Sequence, residues 1–246
     1  MTDPTKQALL EGIRRQMSEA STLARVGPKP LALAAVDAAL KGGLSPCGLH
    51  EVAAADHRAT PAAFGFLLAL AASFLSRAGT LVWVMEKKER WNFGMPYGPG
   101  LMALGLDPGA FVFVRGESTK DALWAMEEAL RVGGVDAAIG ARPRAMDLTA
   151  SRRLQLAAEN AGAPILLFRA HDDANASVAV TRWRVAPMPA SCDRFGFLER
   201  PRWHVSLERA RGGRNGAWDM EWDRDALSLR LASGLGDRTA RQAVAA

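Results

Sequence analysis

Eight consecutive residues hold the spacing most suggestive of chemistry. A phosphate-binding loop reads G-x-x-x-x-G-K-[ST] between a strand and a helix. Its glycines let backbone N–H groups wrap the phosphates, its lysine reaches the β- and γ-phosphates, and its hydroxyl holds magnesium. Here the strand-like run Gly48–Ala53 leads into Ala54, Ala55, Asp56, His57, Arg58, Ala59, Thr60 and Pro61, and a helical run follows. Ala54 and Ala59 stand where the glycines belong, Thr60 where the lysine belongs, and Pro61 where the metal-binding hydroxyl belongs. Asp56 adds a negative charge where phosphates would lie. Proline is favoured in the first turn of a helix, so the helix start is kept and four phosphate-binding positions are not. On these residues alone two readings stand: a plain strand–loop–helix crossover, and a former nucleotide site.

Other candidate chemistry is sparser. His171, Asp172 and Asp173 have ligand-type side chains, but three adjacent residues seldom converge on one ion, and a solvated loop is expected instead. Cys47 follows Pro46 with no base in sequence reach, so it is not read as a nucleophile. From Thr181 to Arg214 eight arginines face only Asp193, Glu199 and Glu208, a surplus equal to the whole formal charge of +5. Arg182, Arg184, Arg202, Arg209, Arg211 and Arg214 are therefore candidates for contact with an acidic partner, protein or nucleic acid. General arginine bias is the competing explanation, since the chain has only six lysines. Trp183, Trp203, Trp218 and Trp222 are interleaved with these arginines. They could stack on bases or grip a partner, but their alternation favours core positions for most of them, with the arginines on an exposed face.

The elements that must position these residues follow from periodicity. Gly48–Ala53, Thr80–Met85, Ala110–Val114, Val135–Ile139 and Pro164–Phe168 are short apolar runs without clean alternation, as strands buried on both faces tend to be. Helical patterns lie between them, over Pro61–Arg77, near Gly100–Gly105, over Lys120–Val132 and over Thr149–Ala161. Ser118 and Asp121 form a cap for the third, and Gly133 can end it. Strand–helix alternation at this spacing argues for a parallel α/β sheet. The last third changes to short alternating segments between Pro/Gly turns. In "RWHVSLER" Trp203, Val205 and Leu207 share one face while His204, Ser206 and Glu208 share the other, as in antiparallel strands with one wet side.

At the other end, residues 5–25 form an amphipathic helix with Leu9, Leu10, Ile13, Met17 and Ala20 on one stripe and Arg14 and Arg15 off it. The chain is thus expected to divide into a helix and linker over 1–28, an α/β core over 29–235 and a flexible tail over 236–246. About half of its 246 residues are apolar, enough for a sizeable core. Two cysteines suit a reducing compartment, no signal peptide is evident at the N-terminus, and the longest apolar stretch, Pro61–Leu75, is too short to span a membrane. A cytoplasmic location is expected.

The stretches "ALKGGLSPCGLHEV", "LVWVMEKKERW", "ALGLDPGAFVFVRGES", "EALRVGGVDAAIG" and "GAPILLF" resemble the ATPase core of RecA-like recombinases in order and spacing. With "TRWRV" and "RPRWHVSLERARGGRNGAWDMEWD" the chain more closely resembles the ImuA family, RecA-related proteins of bacterial SOS mutagenesis cassettes. The resemblance covers roughly residues 35–225. It implies a RecA-like, mostly parallel sheet flanked by helices, with antiparallel C-terminal edge strands and a separate N-terminal helix. Glu86 matches the glutamate that activates water in RecA-like enzymes, but the acid expected after Val135–Ile139 is replaced by Gly140, Ala141 and Arg142. The polar group expected after Ile165–Phe168 is replaced by Arg169 and Ala170. Without lysine, metal and acid, Glu86 is expected to pair with a neighbour such as Lys88 or Arg90, or simply to remain in the sheet rim. The resemblance also implies that the DNA-binding loops of RecA are shortened here, to "ARPRAMDLTAS" and "HDDANAS".

The resemblance therefore implies a pseudo-ATPase with no cofactor and no metal, acting as a non-catalytic accessory in error-prone translesion DNA synthesis. Its implied partners are an ImuB-type inactive relative of Y-family polymerases and an error-prone replicative-type polymerase. RecA and direct DNA contact are further candidates. A comparable N-terminal segment of RecA packs on the next protomer, which implies self-association through Leu9, Ile13 and Met17. Two other classes stand beside this one: an ATPase that works through Arg58, Thr60 and Glu86, and a RecA-derived cell-division inhibitor.

Overall fold

A computed structural model describes residues 27–76, 79–86, 96–141, 146–192, 195 and 198–232. The expected N-terminal helix with Leu9, Ile13 and Met17, the residues Lys88, Arg90 and Arg142, and the expected tail over 236–246 lie outside the described residues.

The five apolar runs form parallel strands: β1 (Leu49–Ala54), β2 (Leu81–Glu86), β3 (Phe111–Gly116), β4 (Ala137–Ala141) and β5 (Ile165–Arg169). β6 (Thr181–Pro187) adds to β1 in parallel, and β9 (Arg202–Ala210), β10 (Gly216–Asp223) and β11 (Ser228–Leu231) continue the sheet antiparallel. The order is β11-β10-β9-β6-β1-β5-β4-β2-β3, a mostly parallel nine-stranded sheet of RecA-like type with the expected antiparallel edge. A separate pair, β7 (Ser191–Cys192) with β8 (Leu198–Arg200), stands outside it.

Helices cover both faces. Against one lies α2 (Thr60–Phe74), whose buried Phe66, Leu67 and Leu70 pack with Val52, Leu166, Trp183 and Trp203. Almost wholly apolar, it is built to be enclosed. Against the other lie α4 (Thr119–Val132) and α5 (Leu148–Ala161), which turn Met126, Leu130 and Leu154 onto Val82, Val84 and Leu167. Ser118 caps α4 as expected, accepting from the Asp121 N–H and donating to its carboxylate, and Gly133 follows at φ +80°. Asp147 caps α5 through the Ala150 N–H at 2.7 Å.

Two short helices complete the frame. α1 (Ala34–Ala39), which periodicity did not reveal, is held by Asp37, whose carboxylate accepts from the N–H groups of Leu31 and Leu33. α3 (Gly98–Met102) precedes β3. The approach to β1 depends on Gly43 (φ +134°): a Cβ there would lie 2.1 Å from the Lys29 carbonyl oxygen, where Lys29 and Leu44 exchange hydrogen bonds.

The sheet also curls over α2. Trp222 of β10 reaches the segment between α3 and β3, and Leu227 in the β10–β11 turn packs on Gly105. Strands at opposite ends of the sheet thus share the core under α2.

Candidate functional site

The loop between β1 and α2 spends its donors on the protein itself. The Ala55 N–H donates to the Val185 carbonyl at 2.8 Å, and the Ala59 N–H donates to Asp56 Oδ1 at 2.8 Å. The Thr60 hydroxyl donates to the His57 carbonyl at 2.7 Å and so turns back into its own loop. Ala54, Ala59 and Thr60 are buried, while Asp56, His57, Arg58 and Pro61 are exposed. Asp56 therefore braces the turn that leads into α2 from within, its carboxylate close to a helix N-terminus, which favours negative charge. The His57 and His171 rings lie 6.2 Å apart above this end of the sheet.

The surrounding positions fit that closure. Glu86 ends β2, three strands from β1 and roughly 14 Å away at ordinary strand spacing. It is half-buried, and its Oε1 has no hydrogen-bond partner among the described residues. At the end of β4, a Cβ on Gly140 would lie 2.5 Å from Met126 Sδ and 2.6 Å from Leu167 Cδ1, so that face has no space for a carboxylate.

Arg169, at the end of β5, is only 3% exposed and anchors a charged network that sequence reasoning missed. Its Nη1 donates to Glu51 Oε2 at 3.0 Å, its Nε to Asp173 at 3.0 Å, and its Nη2 to the Asn175 carbonyl at 2.9 Å. Glu51 lies fully buried on β1 and also accepts from Arg182 Nε at 2.9 Å. Burial works against the charge of Arg169, but Asp173 and Glu51 outweigh it and hold the guanidinium above its ordinary range. Burial likewise opposes ionisation of Asp173, and the Arg169 hydrogen bond prevails to lower its pKa. Arg182 reaches Ser177 Oγ, and Arg209 reaches the Ser177 carbonyl. The segment from His171 to Asp173 is thus not simply a solvated loop: Asp172 is exposed, but Asp173 is fastened from below. A lone apolar strand carrying Glu51 was the available signal, since a carboxylate buried there requires a cation.

The arginines of the last third occupy several environments. Arg202 is only 4% exposed; it lies opposite Glu221 in register and pairs with it at 2.7 Å, so its guanidinium is not on the expected exposed face. Arg184 pairs with Glu208, Arg200 reaches Glu221 at 3.4 Å, Arg230 pairs with Asp223 at 2.9 Å, and His204 meets Asp219 at 2.7 Å. Arg209, Arg211 and Arg214 are exposed, and Arg211 stands 3.6 Å from Glu159. Trp183, Trp203 and Trp222 are buried as expected, and Trp218 is half-buried.

The opposite end of the sheet has a cleft of about 310 Å³ near Lys41, Cys47, Glu159 and Arg211. Burial and the charge of Glu159 push the Cys47 thiol pKa up, which disfavours the reactive thiolate. Next to this cleft lies a fixed polar chain. His50 is fully buried; its Nε2 faces the Ser45 carbonyl at 2.8 Å and its Nδ1 faces Thr181 Oγ1 at 2.8 Å. Thr181 Oγ1 also accepts from the Trp183 indole at 2.9 Å. The Ser45 carbonyl requires a proton on Nε2, and in the neutral ring Nδ1 then accepts from the Thr181 hydroxyl. Burial lowers its pKa to about 4, against a smaller opposing effect of the Ser45 hydrogen bond.

Sheet order, covering helices and the loop after β1 define a RecA-like α/β protein. Proteins named ImuA from two Caulobacter vibrioides strains, NA1000 / CB15N and ATCC 19089 / CIP 103742 / CB 15, are each 37% identical to it over 216 residues, covering 80% of this chain and 84% of theirs. The chain belongs to the ImuA family. No family model matches it. No helix among the described residues is long and apolar enough to cross a membrane.

Proposed function

We propose that this chain is a non-catalytic RecA-like accessory protein in SOS-induced, error-prone translesion DNA synthesis, acting through contacts with other proteins. The observation that carries the non-catalytic reading is the bonding of the loop after β1. Phosphoryl transfer depends on positioned donors, a cation and a metal around the transferring group. Here the Ala55 and Ala59 N–H groups are already bonded, Asp56 repels phosphate, and the Thr60 hydroxyl points at His57. Titration with magnesium ATP tests this directly. No saturable binding and no turnover are expected; either result would return the chain to the ATPases.

The proposed partners follow the family: an ImuB-type inactive Y-family polymerase relative and an error-prone replicative-type polymerase. Cross-strand pairing of Arg184, Arg202 and Arg230 with carboxylates supports protein contact over phosphate contact, because a paired guanidinium has less charge to offer. The contact surface proposed here is the end of β9 and the turn after it, where Arg211 lines the 310 Å³ cleft with Lys41, and Arg209 and Arg214 are exposed. Arg211→Glu with Arg214→Glu should weaken capture of a purified ImuB-type partner about tenfold or more. Undiminished capture by a folded double variant would place the contact elsewhere.

A further inference from the structure

The cleft of about 310 Å³ is built where the turn after β9 meets the end of α1. Contact there needs glycine. The Arg214 N–H donates to the Ala39 carbonyl at 3.0 Å, and a Cβ on Gly213 would lie 2.2 Å from that same oxygen. On the facing side Lys41 takes a left-handed backbone (φ +58°), which a residue other than glycine seldom adopts. The Lys41 ammonium lies 3.7 Å from the place a Cβ on Gly212 would take. Lys41 and Arg211, both exposed, thus share one rim of the cleft.

Several polar groups of the lining are already spent inside the protein. Gln155 accepts from the Leu49 N–H and donates to Glu159, while Thr181 serves His50 and Trp183. Arg211 is held but not satisfied. Its Nη2 donates to the Val178 carbonyl at 2.7 Å, which fixes the guanidinium, whereas its Nη1 stands 3.6 Å from Glu159, outside hydrogen-bond range. Lys41 has no ion-pair partner among the described residues. Elsewhere on the antiparallel strands arginines meet carboxylates closely, as Arg202 meets Glu221 at 2.7 Å and Arg230 meets Asp223 at 2.9 Å. Cations left unneutralised at the mouth of a cleft raise the local concentration of anions.

The rest of the lining decides which anion. Pro28, Leu40, Pro46 and Val180 are apolar, which suits a short carbon stem ending in a charge better than a bare phosphate. A run of phosphates needs a run of cations, and Glu159 in the lining interrupts it. A carboxylate, by contrast, has two oxygens to accept from two cations. We propose that the cleft seats an acidic side chain presented by the partner protein, whose carboxylate accepts from both Lys41 and Arg211 in competition with Glu159. This rests on the partner surface proposed at the end of β9 and adds the chemistry of what enters it.

Cys47 lines the same cleft and reports its occupancy. In the full-length chain with Cys192→Ser, alkylation of Cys47 is followed at alkaline pH with a blocked peptide of alternating glutamate and serine. Its glutamine–serine counterpart and inorganic phosphate are the controls. The glutamate peptide should slow alkylation saturably, and neither control should. Measured against each variant's own peptide-free rate, Arg211→Gln should weaken peptide binding about tenfold through loss of a charged hydrogen bond. Glu159→Gln, which keeps the acceptor for Gln155, should tighten it about threefold by removing the competing charge. No protection, equal protection by the glutamine peptide or by phosphate, or a Glu159→Gln chain that binds no better would each overturn the proposal. Capture of the purified ImuB-type partner by the Arg211→Glu, Arg214→Glu variant separates it from the reading beneath it. Reduced capture with wild-type Cys47 unprotected would overturn the acid seat and keep the partner surface. Undiminished capture with Cys47 protected would keep the acid seat and overturn its assignment to that partner.

Discussion

The indole N–H of Trp222 donates to the Ala103 carbonyl oxygen at 3.1 Å, although the two residues belong to opposite ends of the sheet. Trp222 is on β10, next to the last strand at one end, and Ala103 leads into β3, the last strand at the other. Their contact closes the curl around α2.

Trp222→Phe should therefore destabilise the domain by about 2–3 kcal/mol. Part is the lost hydrogen bond with its unsatisfied carbonyl, and part is the space left by a smaller ring. Urea unfolding checks it; a change near zero would mean that the curl does not depend on this contact.

Glu51 should be among the least replaceable polar residues. It is the shared acceptor of Arg169 and Arg182, and removing its charge leaves a buried guanidinium underpaired. Glu51→Gln should cost about 3–5 kcal/mol, read from the shift of the denaturation midpoint. The segment from Ala170 to Val178 should become a trypsin-accessible site at Arg169 in the same variant.

His50 gives the fold a defined acid response. Its folded pKa of about 4 lies below its ordinary 6.5, so the folded state prefers the neutral ring. Its contribution is complete above pH 6.5 and declines as pH falls, because the unfolded chain takes up the proton first. The decline ends below about pH 4, when the folded ring also protonates. The span corresponds to about 3 kcal/mol. Urea titrations at several pH values between 7.5 and 4 should show this slope, and His50→Gln should flatten it.

Asp56→Ala should lower stability by about 1 kcal/mol through loss of the hydrogen bond that braces the turn before α2. Calorimetric melting of the variant against wild type measures it. An unchanged melting temperature would mean that solvent serves the Ala59 N–H equally well.

The parallel half of the fold was legible because its strands are buried on both faces and so read as uninterrupted apolar runs. Capping was legible at Ser118 and Asp121, but the Asp147 cap, at the same spacing, was not read. The arginine surface was less so. A window ending at Arg214 left out Asp219, Glu221 and Asp223, which the next strand folds back against it. Charge counted along the chain therefore overstated charge on the surface. The Arg169–Glu51 pair was hidden for a similar reason, since 118 residues separate partners that lie on adjacent strands. At the loop after β1 the departures from a phosphate-binding motif were visible, but not that Asp56 would bond the Ala59 N–H, which depends on the turn's shape.

That bond has a consequence for how the protein meets the cell. An anion that diffuses on and off a helix start makes the helix sensitive to how much of that anion is present. The carboxylate of Asp56 is covalently part of the chain, so its local supply never varies. The brace on the turn into α2 is therefore the same at every concentration of free anion.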